Sequence, residues 1–565
     1  MRTYKNGDIT VPKDLNLTEL LHASAGDDKE PLPLSHIIAS DSLSHRSLTI
    51  GELRDRAGRL AKGFKSKLGA QDGDRWALIL PNSVDLIELY HAVLWTGGIA
   101  CPINHALKAV DISHGIAISQ PEYIIAYSAT LPSILEAVKL AHQELRENHV
   151  AWNEPTIVTV VGKRTGSHWH IPNDFLEDDA LPIPHYTDTT KRVATIHLSS
   201  GTTGSPKGIQ LSHYNYVANC YQLRMHDSAQ WHRNSRIVAF TPFVHIAMTT
   251  MPLFFGPWMG MRHHAMPSFS MDEYIQLVNS IRPTTFQGAP SIMLALINDP
   301  GLRKRFDFSE AEFLSGQGTG ITKDMKEKLL SMAKWQTANL YGMTEAAPYV
   351  AFQKKGMDVP IGTVGPLLPG IKAALKVPGS TEDAPEGGPG ELWISGPNVA
   401  SQYVCIGDSD SVNAKAFPLP GWYNTGDVCT IDKNGLLAVV GRTKELIKYK
   451  GFQVSPVELD SYLNRHPLVL EGAAASLWDD SQLTEVPTAY VILKEKCKGK
   501  EKESLIRIQR DVDSVVTGYK KLRGGVWEVN ELPRNATMKV LRNELKKKIT
   551  GPCSLEKKFR PKAKL

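Results

Sequence analysis

The sequence predicts an α/β protein with a large N-terminal domain and a small C-terminal domain. Short apolar runs alternate with helical patterns through roughly the first four hundred residues, which is typical of mainly parallel sheets flanked by helices. From residue 376 the chain is rich in glycine and proline, as expected for turns in a β-rich subdomain. After Arg442 it becomes more basic and compact. We therefore predict two domains, residues 1–442 and an α+β domain of residues 443–565.

The predicted N-terminal elements follow one another in order. Residues 49–64 have helical spacing, and the apolar run at 75–80 predicts a buried strand. Residues 83–98 predict a helix that ends at a glycine pair, because glycine commonly terminates helices. Two more strands are predicted at 122–128 and 156–162. This alternation of strands and helices favours parallel sheets.

The segment from Ile237 to Met261 contains no Asp, Glu, Lys or Arg and is long enough to span a bilayer. It is interrupted by Pro242, Pro252 and Pro257. Each proline removes a backbone N–H group, and lipid cannot replace the lost hydrogen bonds. We therefore expect buried core here and no transmembrane segment.

The C-terminal part has its own pattern of elements. Ser455 is a predicted helix N-cap, and Glu458 three residues later completes the pattern of a capping box. Residues 489–494 predict a strand, and residues 508–522 predict an amphipathic helix. The Lys/Glu cluster at 494–503 is expected to be a solvated loop.

The composition excludes several classes of protein. Lys and Arg number 64 against 59 Asp and Glu, and a net charge of +5 is small for 565 residues, so we expect no nucleic-acid partner. The six cysteines are scattered without a C-x-x-C pair, which argues against a disulfide framework and a structural zinc site. The first residues contain no apolar segment typical of a secretory signal.

The strongest local signal is LSSGTTGSPKG at residues 198–208, directly after an apolar run. Its small residues let the backbone approach a polyanion, and its N–H groups, its hydroxyls and Lys207 can bind phosphate oxygens. The spacing differs from that of a Walker A loop. Taken alone, the segment could equally be a flexible Ser/Gly turn.

Four further polar segments make a nucleotide site the better interpretation. LYGMTE at 340–345 combines an aromatic ring, a hydroxyl and a carboxylate, and YNTGD at 423–427 ends on an acid. Basic segments follow at 441–453 and 533–542. Each segment alone would be ordinary surface, but together they are typical of a nucleotide site assembled from distant loops.

A further motif, PFVHI, lies at 242–246. Together these motifs stand in the order found in the adenylate-forming superfamily, which includes acyl-CoA synthetases, adenylation domains and luciferases. Within it, the chain most resembles the 4-coumarate–CoA ligase-like branch. The resemblance implies an enzyme that joins a carboxylic acid to AMP and passes the acyl group to CoA. ATP, Mg²⁺ and CoA are the implied ligands.

The same resemblance implies a role for each matching residue. Tyr341 would stack on adenine, and Asp427 and Arg442 would contact the ribose. Thr344 would lie near the α-phosphate, and Glu345 would organise Mg²⁺. The other implied nucleotide-binding residues are Ser199, Ser200, Gly201, Thr202, Thr203, Gly204, Lys207, Asn339, Leu340 and Gly342.

For the C-terminal domain the resemblance implies motion. Lys539 would be the catalytic lysine, whereas Lys450 and Gly451 would face the incoming CoA. Because both cannot serve one site at once, the domain is expected to rotate about a hinge at Lys444 between half-reactions. Lys448 is expected to line the site in the thiolation conformation, and Gln453 is expected to line it in the adenylation conformation.

The residues of the predicted acyl pocket differ from those of the plant ligases. Ala247 stands where they have a tyrosine, and Leu340 is expected to narrow the pocket floor. His245 resembles the family histidine at the pocket mouth, the alternative being a hydrogen-bonded core histidine. Gly318 lies in a divergent stretch of the same pocket. Because Ala247 lacks the tyrosine hydroxyl that contacts the phenolic end of the substrate in the plant ligases, we expect a medium-chain fatty acid or a small aryl or alkyl acid as substrate in preference to 4-hydroxycinnamate.

Two other activities fit the sequence. One is a stand-alone adenylating enzyme that loads an external carrier protein. The other is a nucleotide-binding protein without catalysis, favoured only by Met538 in place of the usual glycine. The final residues, Ala563-Lys564-Leu565, resemble a peroxisomal import signal read by an import receptor; otherwise we expect a solvated basic tail on a cytoplasmic enzyme.

Overall fold

The computed structural model describes residues 1–23, 31–164, 166, 168–199, 207–316, 323–360, 362–450, 452–534, 540–548 and 551–555. Within these ranges the chain forms three large sheets, a two-stranded ribbon and a three-stranded sheet. Helices pack between and around them. The predicted α/β class, with a β-rich part and a small C-terminal α+β part, is confirmed.

The first sheet carries the strand that leads into the serine- and glycine-rich motif. Its central strands are parallel, and two antiparallel strands close one edge. In spatial order the described strands are Gln402–Val404, Lys207–Ser212, Val193–Ser199, Ile99–Pro102, Arg75–Ile79, Tyr123–Tyr127, Thr156–Val160 and Trp169–Ile171.

The second sheet carries the strand that ends in the motif around Tyr341. It is also mainly parallel, with one antiparallel strand at each edge. In spatial order its described strands are Tyr349–Phe352, Gln336–Gly342, Phe313–Gly316, Thr285–Gly288, Arg236–Ala239, Arg262–Ala265, Ile37–Asp41 and Ser47–Thr49.

The third sheet is antiparallel and corresponds to the predicted β-rich part. Its described strands are Tyr4–Lys5, Lys372–Lys376, Gly390–Ser395, Tyr423–Ile431, Leu436–Arg442 and Thr363–Pro366. The C-terminal part has a separate apolar core around its own sheet. Its described strands are Ile447–Tyr449 and Phe452–Val454 in the ribbon, then Val469–Asp479, Thr484–Leu493 and Val526–Glu528.

The helices begin and end at recognisable caps. Helix Ile50–Leu68 starts at Thr49, whose side chain and that of Glu52 cap each other's backbone N–H groups, and it ends at Gly69 in the left-handed region. The other α-helices of eight or more described residues are Val84–Trp95, Ala109–Ser119, Leu131–Glu147, His213–His226, Met271–Ile281, Pro290–Asn298, Lys323–Leu330, Ser409–Ala416, Pro456–Leu463 and Glu501–Val515. Shorter ones are Leu17–His22, Ile246–Thr249, Gly256–Met259, Pro300–Arg303 and Arg542–Leu545.

Two C-terminal predictions need correction. The amphipathic helix spans Glu501–Val515, about two turns earlier than predicted, so part of the expected Lys/Glu loop is helical. Ser455 does cap its helix, but the carboxylate of Glu458 binds the ammonium group of Lys520 at 2.7 and 2.8 Å. This ion pair replaces the reciprocal half of the predicted capping box.

Most of the charge-free segment from residue 237 to 261 is buried core, as predicted, whereas residues 240–242, 244 and 245 are half-buried. It contains helix Ile246–Thr249, the π-helix Thr250–Phe255 and helix Gly256–Met259, all fully buried. No helix in the described part of the chain combines the length and apolar character needed to cross a bilayer.

Candidate active site

A cleft of about 1970 Å³ opens where the three large sheets meet the C-terminal part. It collects residues that lie up to several hundred positions apart in sequence, as a site built from distant loops requires. The predicted site residues that line it are Lys207, His245, Ala247, Asn339, Leu340, Tyr341, Gly342, Thr344, Glu345, Asp427, Arg442 and Lys444.

At one wall, Asp427 joins two of the predicted segments. The hydroxyl of Tyr341 donates a 2.6 Å hydrogen bond to Oδ2 of Asp427, and Nε of Arg442 lies 3.1 Å from Oδ1. The antiparallel register places Asp427 directly opposite Arg442 on neighbouring strands. Burial and the Asp427 charge raise the pKa of Tyr341 well above its ordinary value, so the phenol remains a hydrogen-bond donor.

A second cluster surrounds Glu345, which follows directly on Thr344 in a short 3₁₀ turn. The hydroxyl of Tyr403 donates a 2.6 Å hydrogen bond to Oε1 of Glu345, and the ring of Tyr403 lies 5.5 Å from Nζ of Lys207. One tyrosine therefore contacts both a predicted metal-organising carboxylate and a predicted phosphate-binding cation. Sequence reasoning missed Tyr403, because nothing in its local spacing marks it.

Positive charge is concentrated at the cleft mouth. Lys415, on helix Ser409–Ala416, lines the cleft with Lys207 and Lys444. Burial, together with the neighbouring Lys415, Lys207 and Arg442 charges, lowers the pKa of Lys444 below its ordinary value. Clustered ammonium groups repel one another and favour a polyanion between them. Sequence reasoning also missed Lys415, which lies outside every motif.

The helix that carries Lys415 is tied to the Tyr403 strand. The backbone N–H of Tyr403 donates to Oδ1 of Asn413 at 2.7 Å, and Nδ2 of Asn413 donates back to the Tyr403 carbonyl at 3.1 Å. Lys415 follows two residues later. These paired hydrogen bonds place its backbone relative to the Glu345 and Lys207 cluster.

The acyl end of the cleft is more apolar. His245 and Ala247 lie at the start of helix Ile246–Thr249, and Leu340 faces the same cavity. Burial lowers the pKa of His245 to about 4, which keeps the imidazole neutral near pH 7. Its Nδ1 is buried and has no hydrogen-bond partner among the described residues.

Close backbone packing explains the glycine after Tyr341. A Cβ atom at Gly342 would lie 2.4 Å from the carbonyl oxygen of Pro348. The strand register also shifts between Tyr341 and Gly342. A larger residue would push the Tyr341 strand away from its neighbour, which would displace the phenol from Asp427.

Other predicted residues lie away from the cleft or outside the described residues. Lys448 and Lys450 are exposed on the two-stranded ribbon and do not line the cleft. The side chains of Ser199 and Gln453 are not described. The predicted residues outside the described ranges are Ser200, Gly201, Thr202, Thr203, Gly204, Gly318, Gly451 and Lys539.

The residues on either side of the Lys539 segment are nevertheless anchored at the cleft. Arg534 and Val540 form an antiparallel bridge, and both line the cavity. The guanidinium group of Arg542 is largely buried, with Nε 3.3 Å from Glu445 and Nη2 2.6 Å from Asp460. Arg542 thus connects this segment to the residue that follows Lys444.

Comparison with known proteins shows the family of this chain. The family model described as AMP-binding enzyme matches residues 33–404. A putative acyl-coenzyme A synthetase of Emericella nidulans is 30% identical over 577 residues, covering 99% of this chain and 100% of the relative. Probable 4-coumarate–CoA ligase 3 of Dictyostelium discoideum is 28% identical, covering 90% of this chain and 92% of that protein.

A solved structure supports the fold independently. The anthranilate CoA ligase AuaEII in complex with anthranoyl-AMP superposes with a TM-score of 0.80 at 22% identity, over 95% of this chain and 98% of that one. At this identity the match establishes the shared fold. Because the family model spans more than half of the residues, and a relative at 30% identity covers nearly the whole chain, the protein belongs to the AMP-binding enzyme family.

Proposed function

We propose that this protein is an AMP-forming acid–CoA ligase. The observation that carries the proposal is the meeting, in one cleft, of the Lys207 cation, the Glu345 carboxylate and the Asp427–Arg442 pair. The similar acyl-coenzyme A synthetase and 4-coumarate–CoA ligase point to the same reaction class. In the first step, a carboxylate oxygen of the acid bonds to the α-phosphorus of ATP, and the bond to pyrophosphate breaks.

The nucleotide is proposed to lie along the Tyr341 wall. Asp427 is buried yet lines the cleft, so its carboxylate can accept hydrogen bonds from the two ribose hydroxyls while Tyr341 and Arg442 hold it in place. Thr344 lies beside the α-phosphate in this arrangement, and Lys207 binds the outer phosphates. From the sequence motif, the residues between Ser199 and Lys207 are also proposed to bind phosphate; they lie outside the described ranges.

Glu345 is suited to help hold Mg²⁺. Among the described residues, no group of three or more His, Cys, Asp or Glu side chains could hold a metal ion by itself. Mg²⁺ is commonly held by one or two carboxylates together with substrate phosphates, so a single carboxylate beside a phosphate site fits. Tyr403 engages Oε1 and orients the group. When bound, the ion would neutralise charge on the phosphates.

The acid is proposed to enter between His245 and Leu340, with Ala247 leaving space beside them. A neutral, buried imidazole can orient the acid without adding a charge. We propose a medium-chain fatty or small aryl or alkyl acid, since the cavity wall here is apolar and includes Phe240 and Ile292.

The second step requires another arrangement of the C-terminal domain, residues 443–565. Here the CoA sulfur bonds to the acyl carbon and AMP leaves. Lys448 and Lys450 lie outside the cleft, whereas Arg534 and Val540, which flank the Lys539 segment, line it. This supports an adenylation arrangement with Lys539 as the catalytic lysine. Rotation about Lys444 would then bring the ribbon of Lys450, Gly451 and Gln453 to the site.

Acid-dependent ATP–pyrophosphate exchange tests the proposal. Straight-chain acids, cinnamates, benzoates and phenylacetates would be compared, and active acids would then be supplied with CoA. We expect exchange followed by acyl-CoA formation. Lys207→Ala should abolish exchange, whereas Lys139→Ala, an exposed lysine of helix Leu131–Glu147, should not.

Each other outcome has a defined meaning. Exchange without acyl-CoA, even with CoA in excess, would make a carrier protein the acceptor. ATP binding without exchange for any acid would contradict ligase activity and support a non-catalytic nucleotide-binding protein.

We also propose peroxisomal import through Ala563-Lys564-Leu565, which lies outside the described residues. A fluorescent protein fused in front of the native C-terminus should accumulate in peroxisomes. The same fusion without the final three residues should remain dispersed. Equal distributions would contradict the proposed signal and its import receptor.

A further inference from the structure

A small chamber lies behind the acyl end of the cleft. Its volume is about 30 Å³, which is room for one or two water-sized groups. It shares three wall residues with the cleft, Gln287, Leu340 and Tyr349. Leu340, which is half-buried, therefore stands between the two cavities and does more than narrow the pocket floor.

The chamber contains buried polar atoms without partners. His263 is 1% exposed, and neither of its ring nitrogens has a hydrogen-bond partner among the described residues. Nε1 of Trp231, another wall residue, is likewise buried and unpartnered within the described ranges. Buried polar groups are normally paired, so unpaired atoms around a cavity indicate a missing ligand or water.

The neighbouring histidine, His264, shows that unpaired ring nitrogens are not a general feature of the strand Arg262–Ala265. His264 points to the opposite face, where its two ring nitrogens lie 2.9 and 3.0 Å from the hydroxyls of Ser40 and Ser42. His263 instead packs against Gly256, where an added Cβ would lie 2.5 Å from Cε1 of the ring. The glycine thus makes room for an imidazole in the core.

The hydrogen-bonding pattern of the walls restricts the ligand. An indole N–H only donates, and a neutral imidazole offers one donor and one acceptor. An oxygen atom that accepts from Trp231 and exchanges a hydrogen bond with one ring nitrogen of His263 would satisfy two of these three atoms. Gln287 lies in the shared wall, where its Nε2 donates to the thioether of Met248, a weak acceptor, at 2.9 Å.

The ligand must also be uncharged. None of the described residues that line the chamber is Lys, Arg, Asp or Glu. Burial lowers the pKa of His263 to about 3, so the imidazole carries no positive charge near pH 7. A carboxylate would lose its hydration there without gaining a cation.

We propose that the acyl pocket continues past Leu340 into this chamber, and that His263 and Trp231 bind an uncharged oxygen group, a hydroxyl or carbonyl, at the distal end of the acid. The inference rests on the proposed ligase activity and narrows its substrate class. Leu340 moves aside as the acid enters. The preferred substrate is a straight-chain acid oxygenated at its far end.

Matched acids test this directly. Pyrophosphate exchange would be measured with unsubstituted acids of four to twelve carbons, with their terminally hydroxylated counterparts, and with dicarboxylates of equal length. At the optimal length we expect the hydroxylated acid to exceed its unsubstituted analogue by about a hundredfold in kcat/KM, since a buried polar site rejects a ligand that leaves it unpaired. The dicarboxylate should be the poorest of the three.

Two variants and one control test whether the preference for the hydroxylated acid arises in the chamber. Trp231→Phe removes the N–H and keeps an aromatic ring, and His263→Leu removes both nitrogens. Each should reduce the preference for the hydroxylated acid at least about tenfold. Trp258→Phe is the matched control, because Nε1 of Trp258 is also buried and unpartnered among the described residues, but Trp258 does not line the chamber. Thermal unfolding of all three would verify folding.

The outcomes separate this inference from the proposed function. Exchange with unsubstituted acids but no preference for hydroxylated ones would overturn the chamber as a substrate site and leave water as its occupant. A preference unchanged in both Trp231→Phe and His263→Leu would overturn it as well. Absence of exchange with every acid would overturn the ligase proposal, and this inference with it.

Discussion

Tyr403 donates a hydrogen bond to the carboxylate of Glu345 across 2.6 Å, although the two residues are 58 positions apart. The Tyr403 ring also faces the ammonium group of Lys207. A tyrosine outside the recognisable motifs therefore connects the carboxylate proposed to hold Mg²⁺ with the cation proposed to bind phosphate. Its contribution can be separated into a hydrogen bond and a ring contact.

Tyr403→Phe keeps the ring but removes the hydrogen bond to Glu345 and a 3.1 Å hydroxyl contact with Tyr423. A hydrogen bond to a charged group contributes about 1.5–3 kcal/mol, so we expect kcat/KM for MgATP to fall by about 10- to 100-fold, with a higher Mg²⁺ requirement. Tyr403→Leu also removes the ring and should raise KM for ATP further. Steady-state kinetics over a Mg²⁺ titration would measure both effects.

Tyr490→Phe serves as the control for this pair of variants. The Tyr490 hydroxyl is buried without a partner among the described residues, and Tyr490 lies in the C-terminal core. A Mg²⁺ requirement that is the same in Tyr403→Phe and wild type would show that the hydrogen bond does not orient Glu345 for the metal.

Asp427→Asn should weaken ATP binding. The substitution removes the charge that pairs with Arg442 and leaves an amide beside the Tyr341 hydroxyl. Loss of a buried charged partner costs several kcal/mol, so we expect Kd for ATP to rise by at least about tenfold and the melting temperature to fall. Calorimetric titration with ATP and thermal unfolding would measure these changes.

A double-mutant cycle with Tyr341→Phe would test whether the two residues act together. Because their side chains are in direct contact, the effects of the two substitutions on ATP affinity should be non-additive. Additive effects would mean that the Tyr341–Asp427 hydrogen bond does not organise the nucleotide site.

Each half-reaction should depend on a different lysine of the C-terminal domain. Lys539→Ala should slow adenylate formation at least about a hundredfold. The variant should still convert a supplied acyl-adenylate and CoA to acyl-CoA. Lys450→Glu should do the reverse, because it places a negative charge where CoA phosphates are expected. Pyrophosphate exchange and thioester formation from synthetic adenylate would be measured separately. Equal losses in both half-reactions, in either folded variant, would contradict the rotation.

Buried histidines should make the protein sensitive to acid. Burial lowers the pKa of His91 to about 4 and those of His197, His213 and His263 to about 3. In the unfolded chain these groups titrate near 6.5, so below that pH the unfolded state binds more protons than the folded state. Their stabilising contribution is complete above pH 6.5 and is lost as the pH falls from 6.5 toward the folded values.

The expected slope is about 1.4 kcal/mol per pH unit for each such histidine. Urea unfolding at pH values on both sides of 6.5 would measure it. His263→Leu removes one titrating group and should make the slope shallower by about that amount. Equal free energies of unfolding well above and well below pH 6.5 would mean that these histidines are protonated in the folded protein.

Local sequence patterns determined much of the fold. Apolar runs and cap residues predicted the helix after Thr49, the strand at 75–80 and the cap at Ser455, since these depend on neighbours a few positions apart. The polar motifs also predicted twelve of the residues that line the cleft, among them Tyr341, Asp427 and Arg442. Residue types and their spacing carry this information without any long-range contact.

Tertiary structure decided what local spacing cannot encode. Glu458 pairs with Lys520, 62 residues away, because folding brings that ammonium group to 2.7 Å from its carboxylate. Sheet register sets Asp427 opposite Arg442, and strand packing brings Tyr403 to Glu345. In the same way, the chamber around His263 exists only where separate elements meet, because the hydrogen-bonding needs of a buried side chain depend on what surrounds it in space.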